Sequence, residues 1–403
     1  AAPERVQVEL LAEPPQLSAE QIQALEASVE NTHLPGPDLE VAAEPVAGPE
    51  GGETAAPGRL QPQAPDTARL FVKRQIPNTV ANPRSTIMEA SLANSGKYVF
   101  YTGNWFAARS ANRGGTWTFV NPFADMSEFC CDQDVLYDES RDIFLWYRQG
   151  LKNASGVNRF RLGVSRDGIT WWFYNTTPTN VNSGWTNQWF DYPHLALSNN
   201  FLWIATNMYN NANAWTRTVM LRWPLDNLLA GSGFSYLYYA QSDRFNFTPV
   251  QGVGLETMYW GTHNNTGSFR IYRWAENSGT IFWDNRTIPA WTLTPRGSAV
   301  CTGPGGHNWC ARADHRVLAG WVAEWGGERV IGFFWNVRQD VARGFPWPYV
   351  NAAVFRESDR AYLGRPYIWN TTNAWFYAAA SPNKRGHLAI AAWWGNRSVG
   401  PTC

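Results

Sequence analysis

Short aromatic-rich runs recur about every fifty residues along this chain, and that repeat restricts the fold more than any other feature. "KYVFYTGNWF", "DIFLWYRQ", "NFLWIATNMY", "ETMYWGTH", "RVLAGWVAEW" and "HLAIAAWW" are each bounded by Gly, Asn, Asp or Pro, and each reads as a β-strand. The units open near Ser85, Glu128, Gln188, Arg244, Gly306 and Arg365. Each begins on a polar element, runs into a strongly apolar strand and closes on a Trp- or Tyr-rich one. "CDQDVLYDESRDIFLWYRQ" aligns with "FDYPHLALSNNFLWIATNMY" in this way. About fifty residues suits a four-stranded blade, so the expected fold is all-β: a propeller of about six blades, with seven as the alternative. Helical periodicity is nearly absent beyond residue 67, where "LDNLL" at 225–229 offers one turn.

Two strings inside the repeats share one residue order: "SANRGGTW" at 110–117 and "SRDGITW" at 165–171, with a fainter "AENSGTIFW" at 275–283. They resemble the Asp-box, or BNR repeat, of the sialidase-like β-propellers, whose pattern is S-x-D-x-G-x-T-W. Asn112 stands in the Asp place of the first copy and Asp167 in that of the second, which is one residue shorter. The resemblance implies a hairpin between the two outer strands of a blade. There the Asp or Asn accepts from turn amides, the Gly takes a conformation side chains avoid, and Trp117 and Trp171 pack inward. Such a box builds the rim and carries no chemistry. Sialidases also share an Arg triad, a Tyr–Glu pair and an F-R-I-P string. The nearest strings here, "NPRST" at 82–86 and "GRPY" at 364–367, do not match it, so no sialidase catalytic residue is carried over.

Residues 1–66 are a different kind of sequence. They contain no aromatic residue, ten Pro, and 12 acidic residues against 2 Arg; the remainder holds 31 basic and 21 acidic residues. The net zero therefore hides an acidic arm and a basic body, which suggests that the arm lies on a body, its own or a neighbour's. In the arm, Val6, Val8 and Leu10 alternate with polar residues as in a strand. "LSAEQIQALEASVEN" offers Ser18 as N-cap, Gln21 to close a capping box, and Leu17 with Ile22 as a hydrophobic staple. A helix is expected at about 19–30, with Ile22, Leu25 and Val29 as its apolar stripe. Residues 35–66, rich in Pro, Gly, Ala and Glu, read as an extended linker. The propeller then occupies 67–403, with "TARLFVKRQIP" at 67–77 as a strand to complete the last blade.

The chain starts Ala1-Ala2-Pro3, as after removal of an export signal, and no uncharged apolar run approaches the roughly 20 residues of a membrane helix. The expectation is a secreted protein at the cell surface or beyond it. Of its five Cys, Cys301 and Cys310 bracket "TGPGGHNW" and should pair. Cys130 and Cys131 either bond to each other or one reaches Cys403, and the odd count leaves one thiol free or intermolecular. No C-x₂-C spacing suggests a metal site, and no motif suggests a cofactor. Sequons at Asn153, Asn175, Asn246, Asn264, Asn285, Asn370 and Asn396 are consistent with a glycosylated body. The basic residues are dispersed, which argues against nucleic acid.

Polar residues at unit starts would converge on a propeller's centre, and Glu89, Asp132, Asp134, Asp191, His194, His307, Arg312 and Arg365 are the candidates. Glu89, Asp132 and Asp191 offer the carboxylates a glycosidase needs. His194, His307, Tyr192 and Arg365 offer the base and cation of a polysaccharide lyase. The plainer reading has the same residues tying neighbouring blades by bonds to backbone. The leading functional expectation is a structural subunit of a filament or sheath, joined to other copies by Val6, Val8, Leu10, Ile22, Leu25 and Val29 of the arm. The alternatives are a carbohydrate-active enzyme working at the centre and a glycan-binding module.

Overall fold

The computed structural model describes residues 3–30, 34, 36–42 and 89–401. The chain is a β-propeller. The arm contributes β1 (Glu4–Gln7) and α1 (Ala19–Glu30). Five four-stranded antiparallel meanders follow. The first holds β2–β5 (Ser91–Asn94, Val99–Thr102, Ala107–Ser110, Thr118–Val120), the second β6–β9 (Phe129–Asp138, Ile143–Gly150, Phe160–Ser165, Thr170–Thr176). The third holds β10–β13 (Gln188–Leu197, Phe201–Asn210, Trp215–Pro224, Leu237–Gln241), the fourth β14–β17 (Thr248–Gln251, Thr257–Asn265, Ser268–Ala275, Ile281–Thr287). The fifth holds β18–β21 (Val317–Trp325, Glu328–Val337, Tyr349–Arg356, Tyr362–Gly364), and β22 and β23 (Ala374–Pro382, Leu388–Gly395) form a sixth sheet of two strands. Among the described residues the body's α-helices are α2 (Pro178–Val181) and α3 (Leu225–Leu229), one turn each. The expected strand at 67–77 and Cys403 lie outside the described residues.

The first strand of each sheet lies beside that of the next: β2 by β6, β6 by β10, β10 by β14, β14 by β18 and β18 by β22. Between β14 and β18 this becomes parallel pairing, Val250 opposite Gly320. The second strands β7, β11, β15 and β19 are almost wholly buried between sheets. The Trp content explains why: Trp146, Trp171, Trp203, Trp260, Trp274 and Trp335 fill the spaces between sheets, where large flat side chains meet.

The two repeated strings are hairpins between third and fourth strands, as the resemblance implied. Asp167 Oδ1 accepts from the amides of Ile169 and Thr170 at 2.8 and 2.9 Å, and Asn112 Oδ1 from Thr116 N at 2.8 Å. Gly114 and Gly168 hold φ of 82° and 72°, conformations open to residues without Cβ. Trp171 is fully buried, whereas Trp117 is half-exposed. The first hairpin closes the shorter pair, β4 and β5 of four and three residues against six and seven in β8 and β9.

Cys130 and Cys131 form a vicinal disulfide and Cys301 bonds Cys310, so Cys403 is not the partner of either adjacent cysteine. Of the sequons, Asn153, Asn175 and Asn285 are exposed and Asn264, Asn370 and Asn396 half-buried. Asn246 is 2% exposed and its Nδ2 donates to Val317 O at 2.7 Å. No glycan can be attached there in the folded chain.

Candidate functional site

Two places collect buried polar groups from distant parts of the chain. One is a cavity of about 430 Å³ at the centre, lined by residues of all six first strands. The other is the seat of the arm, which includes Trp189 and Tyr209 around Leu34 and the buried Arg316.

The central cavity owes its polar lining to bulges. The pairing of β6 slips between Phe129 and Gln133, that of β10 between Asp191 and His194, and that of β22 between Phe376 and Ala379. A bulge re-aims side chains that alternation would send between the sheets. Tyr192 and Tyr377 sit in these bulges at φ 58° and 54°. For a bulky residue this left-handed conformation costs on the order of 1–3 kcal/mol.

Glu89, Asp132, Asp134, Tyr192, His194 and Tyr377 all line the cavity. Asp134 links three first strands: its Oδ1 accepts from Ser91 Oγ at 2.7 Å and Val135 N at 2.8 Å, its Oδ2 from Leu195 N at 2.9 Å. Asp132 Oδ2 accepts from Tyr192 N at 3.2 Å. Burial still pushes the Asp134 carboxyl up to about 6, the Ser91 hydroxyl and the two amides offsetting part of that rise. Asp132 is pushed well above the usual carboxylate range by burial first, then by the charges of Glu89 and Asp191. Burial, reinforced by Arg316 and opposed by Glu89, lowers His194 to about 3, so it is a neutral imidazole. Its Nε2 has no hydrogen-bond partner among the described residues.

Not every candidate arrives there. Asp191 is fully buried behind the lining, its Oδ1 accepting from Gln149 Nε2 at 3.2 Å. His307 is exposed on the loop closed by Cys301 and Cys310, and Arg365 donates to the carbonyls of Pro289 and Ala290 at 2.9 and 3.1 Å. Arg312 does not line the cavity. Long loops precede β18 and β22, so the true strand starts fall at Val317 and Ala374, about ten residues beyond the expected ones. Sequence reasoning correspondingly missed Tyr377 and Arg316. Both were signalled by their place beside an apolar run, as Asp132 is.

Arg316 joins the two places. It is 2% exposed, bonded through Nε and Nη2 to Asp314 at 2.7–3.1 Å, and its guanidinium carbon lies 4.2 Å from the Tyr192 ring centroid. Its Nη2 also donates to Leu34 O of the arm at 2.9 Å, and Tyr209 donates to the same carbonyl at 2.8 Å. Leu34 itself packs with Trp189 and Tyr209.

The rest of the arm crosses the body in the same manner. β1 pairs antiparallel with β9, Val6 opposite Trp171, making a fifth strand on that sheet. Val6, Val8 and Leu10 pack on the cluster of Phe100, Trp146 and Phe173, and Glu4 pairs with buried Arg161. Leu11 then bridges Phe119 with two 2.8 Å bonds. The capping box closes as expected, Ser18 N on Gln21 Oε1 at 2.9 Å and Gln21 N on Ser18 Oγ at 3.1 Å. α1 lies on β6 with Leu25 buried and Ile22 half-buried; the Val29 side chain lies outside the described residues. Beyond Leu34, Thr266 N donates to Glu40 O at 3.1 Å and Ala42 N to Thr266 Oγ1 at 2.9 Å.

No family model and no curated protein matches the chain. Solved structures similar to it include three carbohydrate-active enzymes. A polysaccharide lyase is 7% identical, with 77% of this chain and 75% of that one covered and a TM-score of 0.47. The Trypanosoma rangeli sialidase bound to sialic acid is 10% identical over 84% and 58%, TM-score 0.45. An endo-arabinase from Bacteroides thetaiotaomicron is 14% identical over 67% and 92%, TM-score 0.39. These are likenesses of fold.

Proposed function

We infer that the chain is a secreted structural subunit, joined copy to copy through its arm into an extracellular assembly. The observation behind this reading is that the described residues between 4 and 42 seat on the body at successive separate surfaces. The seats are the edge of β9, β6 under α1, and the Tyr209–Arg316 pair under Leu34. Strand addition to a sheet edge with side chains in pockets is a mode by which separate chains bind. At up to roughly 3.3 Å per residue, the stretch 43–66 that composition reads as linker has a maximum reach of about 80 Å, far enough to seat the arm on a neighbour. A tether of that length holds the arm near its own seat at no more than a millimolar-scale effective concentration, so closely gathered copies compete for it. Arm and seat are different surfaces, and such a heterologous contact grows an open fibre when its rotation does not close.

The test is deletion of residues 1–42, followed by sedimentation and thermal unfolding. The expected product is a single copy that keeps the body's main transition, while the full chain forms polymers at high concentration. A truncated chain that still polymerises, or a full chain that stays single at every concentration, overturns the reading.

One observation favours a second reading, a carbohydrate-active enzyme at the centre. Asp132, whose carboxyl burial and the charges of Glu89 and Asp191 push upward, lies with Glu89 and neutral His194 around the cavity, and these are groups suited to acid–base work on a glycoside. Asp132→Asn would then abolish turnover of a polysaccharide in a chain that still folds. Against it stands the use of Asp132 and Asp134 as ties between first strands.

A further inference from the structure

Under residues 37–40 of the arm lies a second cavity, of about 390 Å³, lined by Pro37, Asp38, Leu39 and Glu40 above and by His263, His315 and Arg316 below. His263, on β15, is 6% exposed and enclosed by Phe269, Trp291 and Trp335, its ring centroid 4.8–5.2 Å from theirs. Neither of its ring nitrogens has a hydrogen-bond partner among the described residues; the polar group beside it is the backbone of His315. His315 lies with its ring centroid 6.5 Å away and its Nδ1 3.2 Å from Thr294 O. Two imidazoles are thus shut in together, and the arm forms the roof over both.

We propose that this cavity is an acid-sensitive latch: the arm stays seated while His263 and His315 are neutral, and protons release it by charging both rings once water reaches them. The proposal rests on the assembly reading above and adds its regulation.

The charged groups around the pair decide the sign. From the arm come Asp38 and Glu40, from the loop before β14 Asp243 and Arg244, and from the residues before β18 Asp314 and Arg316. Asp314 is bonded to Arg316 through both of its oxygens, and its charge opposes the lowering of both rings without outweighing burial. Burial is the largest influence on each ring and holds both below the ordinary histidine value. For His263 the neighbouring His315 adds to the lowering, and for His315 the nearby Asp314 opposes it. The seated state therefore binds fewer protons than the open one. Seating is insensitive to pH above about 6.5, the ordinary histidine value, and weakens as pH falls through it. The weakening approaches about tenfold per pH unit for each histidine that charges on opening.

The experiment reads two things on the full chain between pH 7.5 and 5.5: sedimentation, and hydrogen-exchange protection of the arm amides Val8, Leu11 and Ile22, corrected for intrinsic rates. Protection of those amides reports a seated arm whichever copy holds it. The expected result is a loss of arm protection by at least about tenfold at pH 5.5, with body amides in β7 and β11 unchanged, and polymers dispersing over the same interval. His263→Gln and His315→Gln, each checked for an unchanged main thermal transition, should flatten the response in part, and the double variant fully. If arm protection is the same at both pH values, or falls equally in the double variant, the latch is wrong. If protection falls as expected in a chain that is single throughout, the latch stands and the assembly reading fails.

Discussion

The central cavity and the arm seat both bury charged and polar side chains, yet they dispose of them in opposite ways. In the cavity two of the polar groups are satisfied by neighbouring first strands: Asp134 by Ser91 and Leu195, Gln251 by Leu195 O at 2.6 Å. In the seat the partner comes from the far end of the chain, as Leu34 does for Arg316 across 282 positions. A group satisfied by its own ring of strands is part of the fold. A group satisfied by a removable segment is part of an equilibrium. The cavity's bonds join neighbouring first strands, and on the reading proposed above the seat's bonds choose which copy's arm is held.

The contrast breaks most readily at Arg316, which serves both places. Arg316→Met leaves Asp314 buried beside Leu34 O with its cation gone, and a charge stranded in this way destabilises by about 3–5 kcal/mol. The main thermal transition and arm protection should fall together. A variant that lost arm protection alone would show that Arg316 belongs only to the seat. Asp134→Asn comes next and addresses the cavity by itself. With its carboxyl at about 6 in the folded chain against an ordinary 3.8, the folded state takes up the proton first. This group's contribution therefore rises as pH falls through 6 and is complete below 3.8. Between pH 7 and 4 the wild type should gain on the variant by on the order of 2–3 kcal/mol, opposite in sign to the histidines of the seat. A stability difference that is flat across this range would remove Asp134 from the buried set. Gly36→Ala acts on the seat alone. A Cβ there meets the Phe245 ring at 2.3 Å, and that ring is held against Trp215 and Arg316. Such overpacking costs about 1–3 kcal/mol, so arm protection should drop roughly tenfold or more while the main transition stays put. A drop in both would mean that the seat is not separable from the body.

How much of this could be read from residues alone follows the same division. The strands were legible because each aromatic run is bounded by turn residues, and a fifty-residue recurrence has few solutions. The capping box of α1 and the strand at Val6 were legible for the same reason, being local patterns. The centre was legible only where a polar residue lies close to its strand, as with Asp132, Asp134 and His194. It was misread at His307 and Arg365, where loops of variable length separate the two. The bulges left no trace, since nothing in "FDYPH" or "WFYAA" announces a tyrosine at positive φ. Leu34 on Arg316 was invisible altogether. An apolar residue in a Pro-rich stretch carries no mark that its carbonyl, not its side chain, makes the contact.

The smallest effect tests whether the arm holds together as one unit. Ser18 closes the box at the start of α1 with two bonds, and neither bond touches the body. Ser18→Ala removes the side-chain acceptor for Gln21 N, a loss typically near 1 kcal/mol in helix stability. A helix of 12 residues has little stability of its own to spare. If seating is one cooperative event, fraying at the N-terminus of α1 is felt along the whole arm. Protection of Val8 and Leu11, upstream of the helix, should then fall about fivefold together with that of Ile22, because a loss near 1 kcal/mol is a factor of that order in an equilibrium. If β1 instead clings to β9 by its own ladder and the Glu4–Arg161 pair, Ile22 alone will exchange faster while Val8 keeps its protection. The seat would then be a row of independent contacts. A latch at one end would free only that end, and acid would loosen residues 34–42 without releasing β1.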